Sequence, residues 1–547
     1  MAGAAFLLVL LQGVGHAATI TVTTNNPAIN DGDGKCSLIE AIVNANDQAA
    51  THPDCLAGSA PDTIVLPKGN HVLTAVDNST YEDTGLPVIS SAITIEGNGA
   101  KVIRKGSAPS FHLLAVATAG DLTLKDLTLS GGVAANFGGA IRNNGILSIQ
   151  NSTISDNAAR TRGGGISDYG AALTIQNSTI SGNRSSLGGA GVHSYGDALS
   201  IENSTISGNT DGYSGGGVAF YGGTATIANS TIFGNTAKGR FYTRGAGIVN
   251  YGAMTIDQST VSKNQAIGAQ GGIGAGVFTG DRAALTITNS VIARNKASGS
   301  FRSFGGGIFI VEAMTMRNST VSGNVVDGPV IGGHGGGIYA EFASVTVENS
   351  TISGNIAKGK YSRGGGISVG GNSAVTIDNS TISSNTATET GGGFYNSGTL
   401  DINSSTISHN QAKLGPGGGI RNSFGTLTLV GSLISGNKGA VGPEVENENR
   451  ATIIADNYNL FGAKNASGVV GFTPGATDIV PGPAIPFSKI LGPLKANGGP
   501  TKTHALKPTS PAVDAIPAGN PACPATDQRG ISRPQGPNCD IGAFELE

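Results

Sequence analysis

Tryptophan is absent from the chain, and its 547 residues include only four cysteines, four methionines and eight histidines. Charge is almost as scarce. Acidic and basic side chains make up 13% of the sequence and nearly cancel, leaving a formal net charge of -3. That balance gives no general electrostatic drive toward nucleic acid or an anionic membrane. The cysteines stand in two close pairs, Cys36 with Cys55 and Cys523 with Cys539, and none falls between. No CxxC spacing and no histidine at ligand spacing accompany them, which argues against zinc and for two disulfides formed in an oxidising compartment. No cofactor or metal site is read from the sequence. Beyond the N-terminus no apolar run is long enough to anchor the chain in a bilayer.

What is abundant is glycine, with 87 residues, beside a hydrophobic fraction of 38% that is too high for a disordered low-complexity chain. A folded chain of this length is either several domains or one elongated repeat. Residues 1–17 read as an export signal: AFLLVLLQGV, Ala5 to Val14, is short and apolar and precedes small residues suited to signal peptidase. No basic residue precedes that run, so the natural start is expected upstream.

The repeat is explicit. LTIQNSTISGN at 173–183 returns as SIENSTISGN at 200–209 and VTVENSTISGN at 345–355. The closing Asn falls at Asn157, Asn183, Asn209, Asn235, Asn264, Asn295, Asn324, Asn355, Asn385, Asn410 and Asn437. Such a period, about 25 to 31 residues, marks a solenoid, propeller or array. Each period holds three short extended runs, a GGGI type, an LTI type and an STIS type, alternating apolar with small polar residues and rich in Thr, Ile and Val. Helical periodicity is missing, and the turns are too short to house crossover helices. An all-β coil satisfies these limits, with three short strands per turn, each paired in parallel with its copy roughly 4.8 Å away. Leu173, Ile175 and Ile180 are then expected to face inward and stack on Leu199, Ile201 and Ile206. Both Asn positions flank the STIS strand at bends, where αL backbone and an amide ladder from coil to coil are expected.

Two segments fit caps over the open sheet ends. SLIEAIVNANDQ carries Leu38, Ile39, Ile42 and Val43 at helical spacing, with Ser37 and Glu40 placed as a capping box. The Pro- and Gly-rich tail from about residue 465 breaks the repeat and is expected to cover the far end. The resulting division is a signal at 1–17, an N-terminal cap at 18–61, coils at 62–464 and a C-terminal cap at 465–547.

GGGI alternating with LTIxNSTISxN resembles the right-handed parallel β-helix proteins of the pectin-lyase-like class, and the GGAI and FxxN repeats of polymorphic outer-membrane proteins. Gly138 to Ile141 reads GGAI, while SxxN replaces FxxN. CSLIEAIVNAN at 36–46 resembles the CSLREA motif of exported β-helix proteins, with Ile39 in place of Arg. LGPLKANGGPTKTHALKPTSPAVDA, DQRGISRP and CDIGAFE are similar to the choice-of-anchor Q domain of bacterial surface proteins. The resemblance implies an extracellular or cell-envelope location and little chemistry; release and attachment both remain open, as does oligomeric state.

Enzymes on this fold cluster carboxylates. Here Asp168, Asp197, Asp211, Asp281, Glu312 and Glu341 are scattered singly, and Asp168 with His193 is the one pair expected near each other in successive coils. Binding has richer material. The long turns AKGRFYTR, KASGSFRSF and AKGKYSRG place Arg240, Phe241, Tyr242, Arg244, Phe301, Arg302, Phe304, Lys360, Tyr361 and Arg363 on one expected basic, aromatic ridge. Aromatic faces suit sugar rings and guanidinium forks suit carboxylates or sulfates, so an acidic polysaccharide or cell-surface glycan is the expected partner. The bland alternative is that long turns simply stay soluble and pack together. Tyr169, Tyr195, Tyr221 and Tyr251 recur at one position and are expected to stack. A non-catalytic adhesion or glycan-binding protein is the first functional reading; a secreted polysaccharide lyase or hydrolase acting on an acidic polysaccharide is the second.

Overall fold

A computed structural model describes residues 17–547; the signal read at 1–17 lies, except for its last residue, outside the described residues. The repeated text becomes repeated shape. Ala172–Gln176 pairs in parallel with Ala198–Glu202, setting Leu173 beside Leu199 and Ile175 beside Ile201. Thr179–Ser181 pairs likewise with Thr205–Ser207, setting Ile180 beside Ile206. All six side chains are buried. Each contributes roughly 1.5 to 3 kcal/mol by leaving water, so like-on-like stacking of apolar side chains is what chiefly sets the register. The chain is an all-β parallel solenoid.

The ladders merge at one corner. Ile308–Arg317 and Ile338–Glu348 each run unbroken from the GGGI-type strand into the LTI-type strand, so both columns form one 28-stranded sheet. The STIS strands form a 15-stranded sheet. A further ladder of 11 very short strands follows the ladder Asn in each coil. Strands of two to four residues, such as Ala158–Ala159, are too short for apolar alternation to reveal them, and their inward alanines, Ala237, Ala266, Ala297, Ala357 and Ala387 among them, pack as a core of their own.

The asparagines at the two bends divide the work. The first takes the left-handed backbone, with φ of 49° at Asn177 and 48° at Asn203. The second makes the ladder: the Asn183 amide donates to Asn209 Oδ1 at 3.0 Å and Asn209 donates to Asn235 at 2.9 Å, each also bonding a backbone carbonyl of the preceding coil. Beside it runs a serine ladder. Backbone N–H groups of Ser178 and Ser204 donate to the hydroxyls of Ser204 and Ser230, each at 3.0 Å. Glycine is required ahead of the next strand: Gly163 sits at φ +66°, and a Cβ on Gly164 would lie 2.4 Å from the Arg184 carbonyl of the adjoining coil.

At the N-terminal end the helix Leu38–Asp47 is capped by Ser37 and Glu40 as a reciprocal box, and buries Leu38, Ala41, Ile42 and Ala45 in the solenoid core. Ile39 and Val43, expected on the buried stripe, are half-exposed because the first coil meets the neighbouring helix face. Cys36 and Cys55 are disulfide-bonded, as are Cys523 and Cys539, with Cα separations of 4.8 and 5.8 Å.

The tail departs from expectation. Phe461 and Phe472 close the last coil, edge to face at 5.7 Å, while the chain beyond turns back along the flank of the STIS sheet. There Leu433 and Leu460 join Ile490, Ile516, Ile541 and Phe544 in a second core. Covering a Thr/Ser strand requires partners for its hydroxyls, and the tail supplies them. Thr381 donates to Gln528 at 2.6 Å, Gln528 donates to Thr351 at 3.1 Å, and Ser383 bonds His504 at 2.9 Å. Thr351, Thr381 and Thr406 are therefore buried, whereas Thr153, Thr179 and Thr205 are half-exposed.

Candidate functional site

Rings recur on the outer face at and just beyond the GGGI-type strands. Tyr169, Tyr195, Tyr221 and Tyr251 stack with centroids 5.6, 4.8 and 5.1 Å apart. The series then shifts two positions along the strand, Tyr251 meeting Phe278 at 5.9 Å, and continues through Phe309 to Tyr339. One aromatic column thus spans coil after coil.

The long turns form a wall beside it. Tyr242–Arg244, Gly271–Ile273, Arg302–Phe304 and Gly332–His334 pair as a 4-stranded sheet, and Arg363 bridges onto His334 at its end. Strand alternation sorts the side chains. Thr243 and Ser303 are buried, while Tyr242 and Phe304 pack against Ala219, Val249, Ile273 and Phe278 beside the aromatic column. Arg244 lies 5.3 Å from the Phe278 ring, Arg302 lies 4.8 Å from Phe304, and Arg363 lies 4.7 Å from Tyr395. Arg162, in the same column, lies 5.8 Å from Tyr195.

The ten ridge residues therefore do not share one edge. Tyr242, Arg244, Arg302, Phe304 and Arg363 line the aromatic face. Phe241 and Phe301 stand outside on the rim, exposed, with Lys360 packed over Tyr361 at 5.1 Å. Arg240 and Phe241 instead border a separate open hollow of about 600 Å³ with Leu187 and Tyr213. Phe241 and Phe301 immediately precede the strands Tyr242–Arg244 and Arg302–Phe304, so they stay on the turns while the strand residues after them join the wall.

None of Arg162, Arg244, Arg302 and Arg363 has a carboxylate partner among the described residues. Guanidinium groups held over rings and left without counter-ions are poised for an external anion. At the column's ends the charges are satisfied internally: Arg142 pairs with Glu82 at 3.1 Å, and Arg421 pairs with Glu446 and Glu448.

The histidines on this face are neutral. Burial, and then the charge of Arg162, lowers His193 to about 3; burial, then Arg302 and Arg363, lowers His334 to about 3. Burial pushes the Tyr221 hydroxyl up to about 12. Asp168 and His193 do not form a pair. Asp168 faces the interior, accepting from Ser194 and Asn143 at 2.7 Å each, with burial raising its pKa; His193 is on the opposite side of the sheet among Tyr169, Tyr195 and Tyr221. Adjacent strand positions point apart, so closeness in sequence register does not bring them together.

Elsewhere Asp31, Glu40 and His52 bring ligand-type atoms within 4.8 Å of one another. Both Glu40 oxygens accept backbone N–H groups, from Asn30 and Ser37 at 2.8 Å each, so this cluster serves the helix cap.

The family model of the right-handed β-helix region matches residues 138–326 and 306–473, more than half of the sequence. The chain belongs to the right-handed β-helix family. No curated protein matches it. Among solved structures, the crystal structure of pectate lyase Pel9A aligns over 98% of each chain at 14% identity, with a TM-score of 0.25. Within this β-helix, sequence reasoning missed Arg162, Phe278, Phe309, His334, Tyr339 and Tyr395. A signal existed for two of these: Arg162 and His334 each immediately precede a GGGI-type run, as do Arg244, Phe304 and Arg363, which the sequence did single out.

Proposed function

We propose that this β-helix is an exported, non-catalytic protein that binds an acidic polysaccharide along its aromatic–arginine face. The observation that carries the reading is the set of four guanidinium groups stacked beside rings without carboxylate partners. Aromatic faces supply apolar contact to pyranose rings, and the arginines supply forked donors to carboxylates or sulfates. Because successive rungs lie roughly 4.8 Å apart, an extended polymer running along the solenoid axis meets one rung after another.

Two disulfides favour an extracellular or cell-envelope setting, as do the CSLREA-like and choice-of-anchor-like segments. Among the described residues no helix is long and apolar enough to cross a membrane. A catalytic role on this face would need an acid and a base of suitable pKa working together. Its histidines are poor bases, Glu446 and Glu448 are bound to Arg421, and among the described residues Glu389 is the one unpaired carboxylate lining the pocket at its end.

The test is incubation of purified protein with polyuronates and sulfated polysaccharides. Binding is read by affinity electrophoresis, turnover by absorbance of new unsaturated ends and by reducing sugar. Retardation without product is expected. Sustained product formation, abolished by Arg302→Ala, would overturn the reading in favour of a polysaccharide lyase or hydrolase.

A further inference from the structure

Where the turn sheet ends, the groove opens into a discrete pocket of about 260 Å³. Its size suits one small ring better than the larger cavities that enclose drug-sized ligands. Tyr361 and Phe424 border it and are 55% and 61% exposed, which leaves their faces open to a ligand. Tyr395 lies between them with the Arg363 guanidinium 4.7 Å from its ring centre.

The charges in the pocket are of two kinds. Arg421 is engaged by Glu446 and Glu448, so these three satisfy one another. Arg363 and Glu389 have no ion pair among the described residues, although both line the same cavity. The Glu389 backbone is fixed by its N–H donating to Ser362 Oγ at 3.0 Å. One free fork of donors and one free pair of acceptor oxygens thus stand between exposed aromatic walls.

We infer that this pocket is a subsite for a single uronic acid residue, with Arg363 receiving the carboxylate, Glu389 accepting from ring hydroxyls, and Tyr361, Tyr395 and Phe424 contacting the ring. The inference rests on the polysaccharide reading above and adds the sugar class and its place. Guanidinium and carboxylate geometry match as a two-bond fork, and a carboxylate acceptor pairs with hydroxyl donors rather than with a second anion. A sulfate-only sugar would satisfy Arg363 with no requirement for the carboxyl position, and an amino sugar would seek Glu389 alone.

The experiment is saturation-transfer NMR and calorimetry with glucuronate, glucose and glucosamine, on the full chain and three variants. Glucuronate is expected to bind the wild type, and to bind Arg363→Gln and Phe424→Ala at least tenfold more weakly. Arg317→Gln, on the distant LTI-type strand, is expected to match the wild type. Phe424 is exposed, so its loss does not endanger folding, and thermal midpoints check each variant. Equal binding of glucose, or preference for glucosamine, would overturn the inference. So would unchanged glucuronate binding by Arg363→Gln. Polymer retardation without glucuronate binding would sink the subsite and leave the groove reading intact; failure of both ligands would sink both.

Discussion

The guanidinium of Arg244 lies 5.3 Å from the ring of Phe278, which belongs to the next rung. This cross-rung contact joins the turn sheet to the aromatic column and holds a cation at the groove wall. Arg302 instead lies 4.8 Å from Phe304 of its own short strand. Replacing either arginine with alanine should weaken polymer binding by about 10- to 100-fold, since a charge-assisted hydrogen bond is worth roughly 1.5 to 3 kcal/mol. Raising salt from about 0.01 to 0.15 M shortens the Debye length from roughly 30 to 8 Å and should weaken binding by the wild type more than by the variants. Affinity electrophoresis across a salt series checks both.

The two asparagines of one coil should respond differently to substitution. Asn209 is buried, donating to Asn235 and Ile180 and accepting from Asn183, so Asn209→Ala leaves several groups without partners. A loss of about 1 to 3 kcal/mol is expected. Asn203 is instead chosen for its φ of 48°, and Asn203→Gly should change stability little. Urea midpoints of the two variants provide the comparison.

Acid should weaken the fold through its buried imidazoles. His193 and His334 are held near 3 in the folded chain, chiefly by burial, and return to about 6.5 on unfolding. Between these values the unfolded chain binds more protons, so their contribution is complete above pH 6.5 and declines as pH falls. Each such histidine accounts for about 1.4 kcal/mol per pH unit in that window. His193→Phe removes one titrating group and two buried nitrogens without partners, so its urea midpoint should fall less between pH 7 and 5 than that of the wild type.

Docking of the tail depends on Gln528. Its side chain is buried and joins Thr351, Thr381 and Thr501. Gln528→Ala should leave the Thr381 hydroxyl without its acceptor, remove the amide that bridges Thr351 and Thr501, and loosen residues 490–546 while leaving the solenoid coiled. Limited proteolysis is expected to cut the tail of the variant faster, with an unchanged circular-dichroism spectrum from the remaining β-helix.

Rung register was legible because the physics acts on identical residues at identical places: Ile180 and Ile206 each need the same apolar neighbour. The serine ladder through Ser178 and Ser204 was not, because a small polar residue beside a bend gives no sign of which backbone N–H it will accept. The aromatic column was visible only as far as Tyr251. Its continuation at Phe278 sits two positions earlier in the strand, so alignment on sequence position separates rings that touch in space. The tail's path along Thr351, Thr381 and Thr406 was hidden for another reason. A Pro- and Gly-rich segment has no period from which its partner surface can be inferred, and the Thr/Ser strands it covers read the same as those it leaves bare.

The most direct measurement is hydroxyl-radical footprinting of the protein with and without a polyuronate it retains. Protection is predicted at Tyr195 on the aromatic face and at Tyr361 on the border of the pocket at its end, with Phe233 on the STIS sheet reacting as before. Protection of Phe233 with no change at Tyr195 or Tyr361 would contradict the account, because the ligand would then lie on the wrong face of the solenoid.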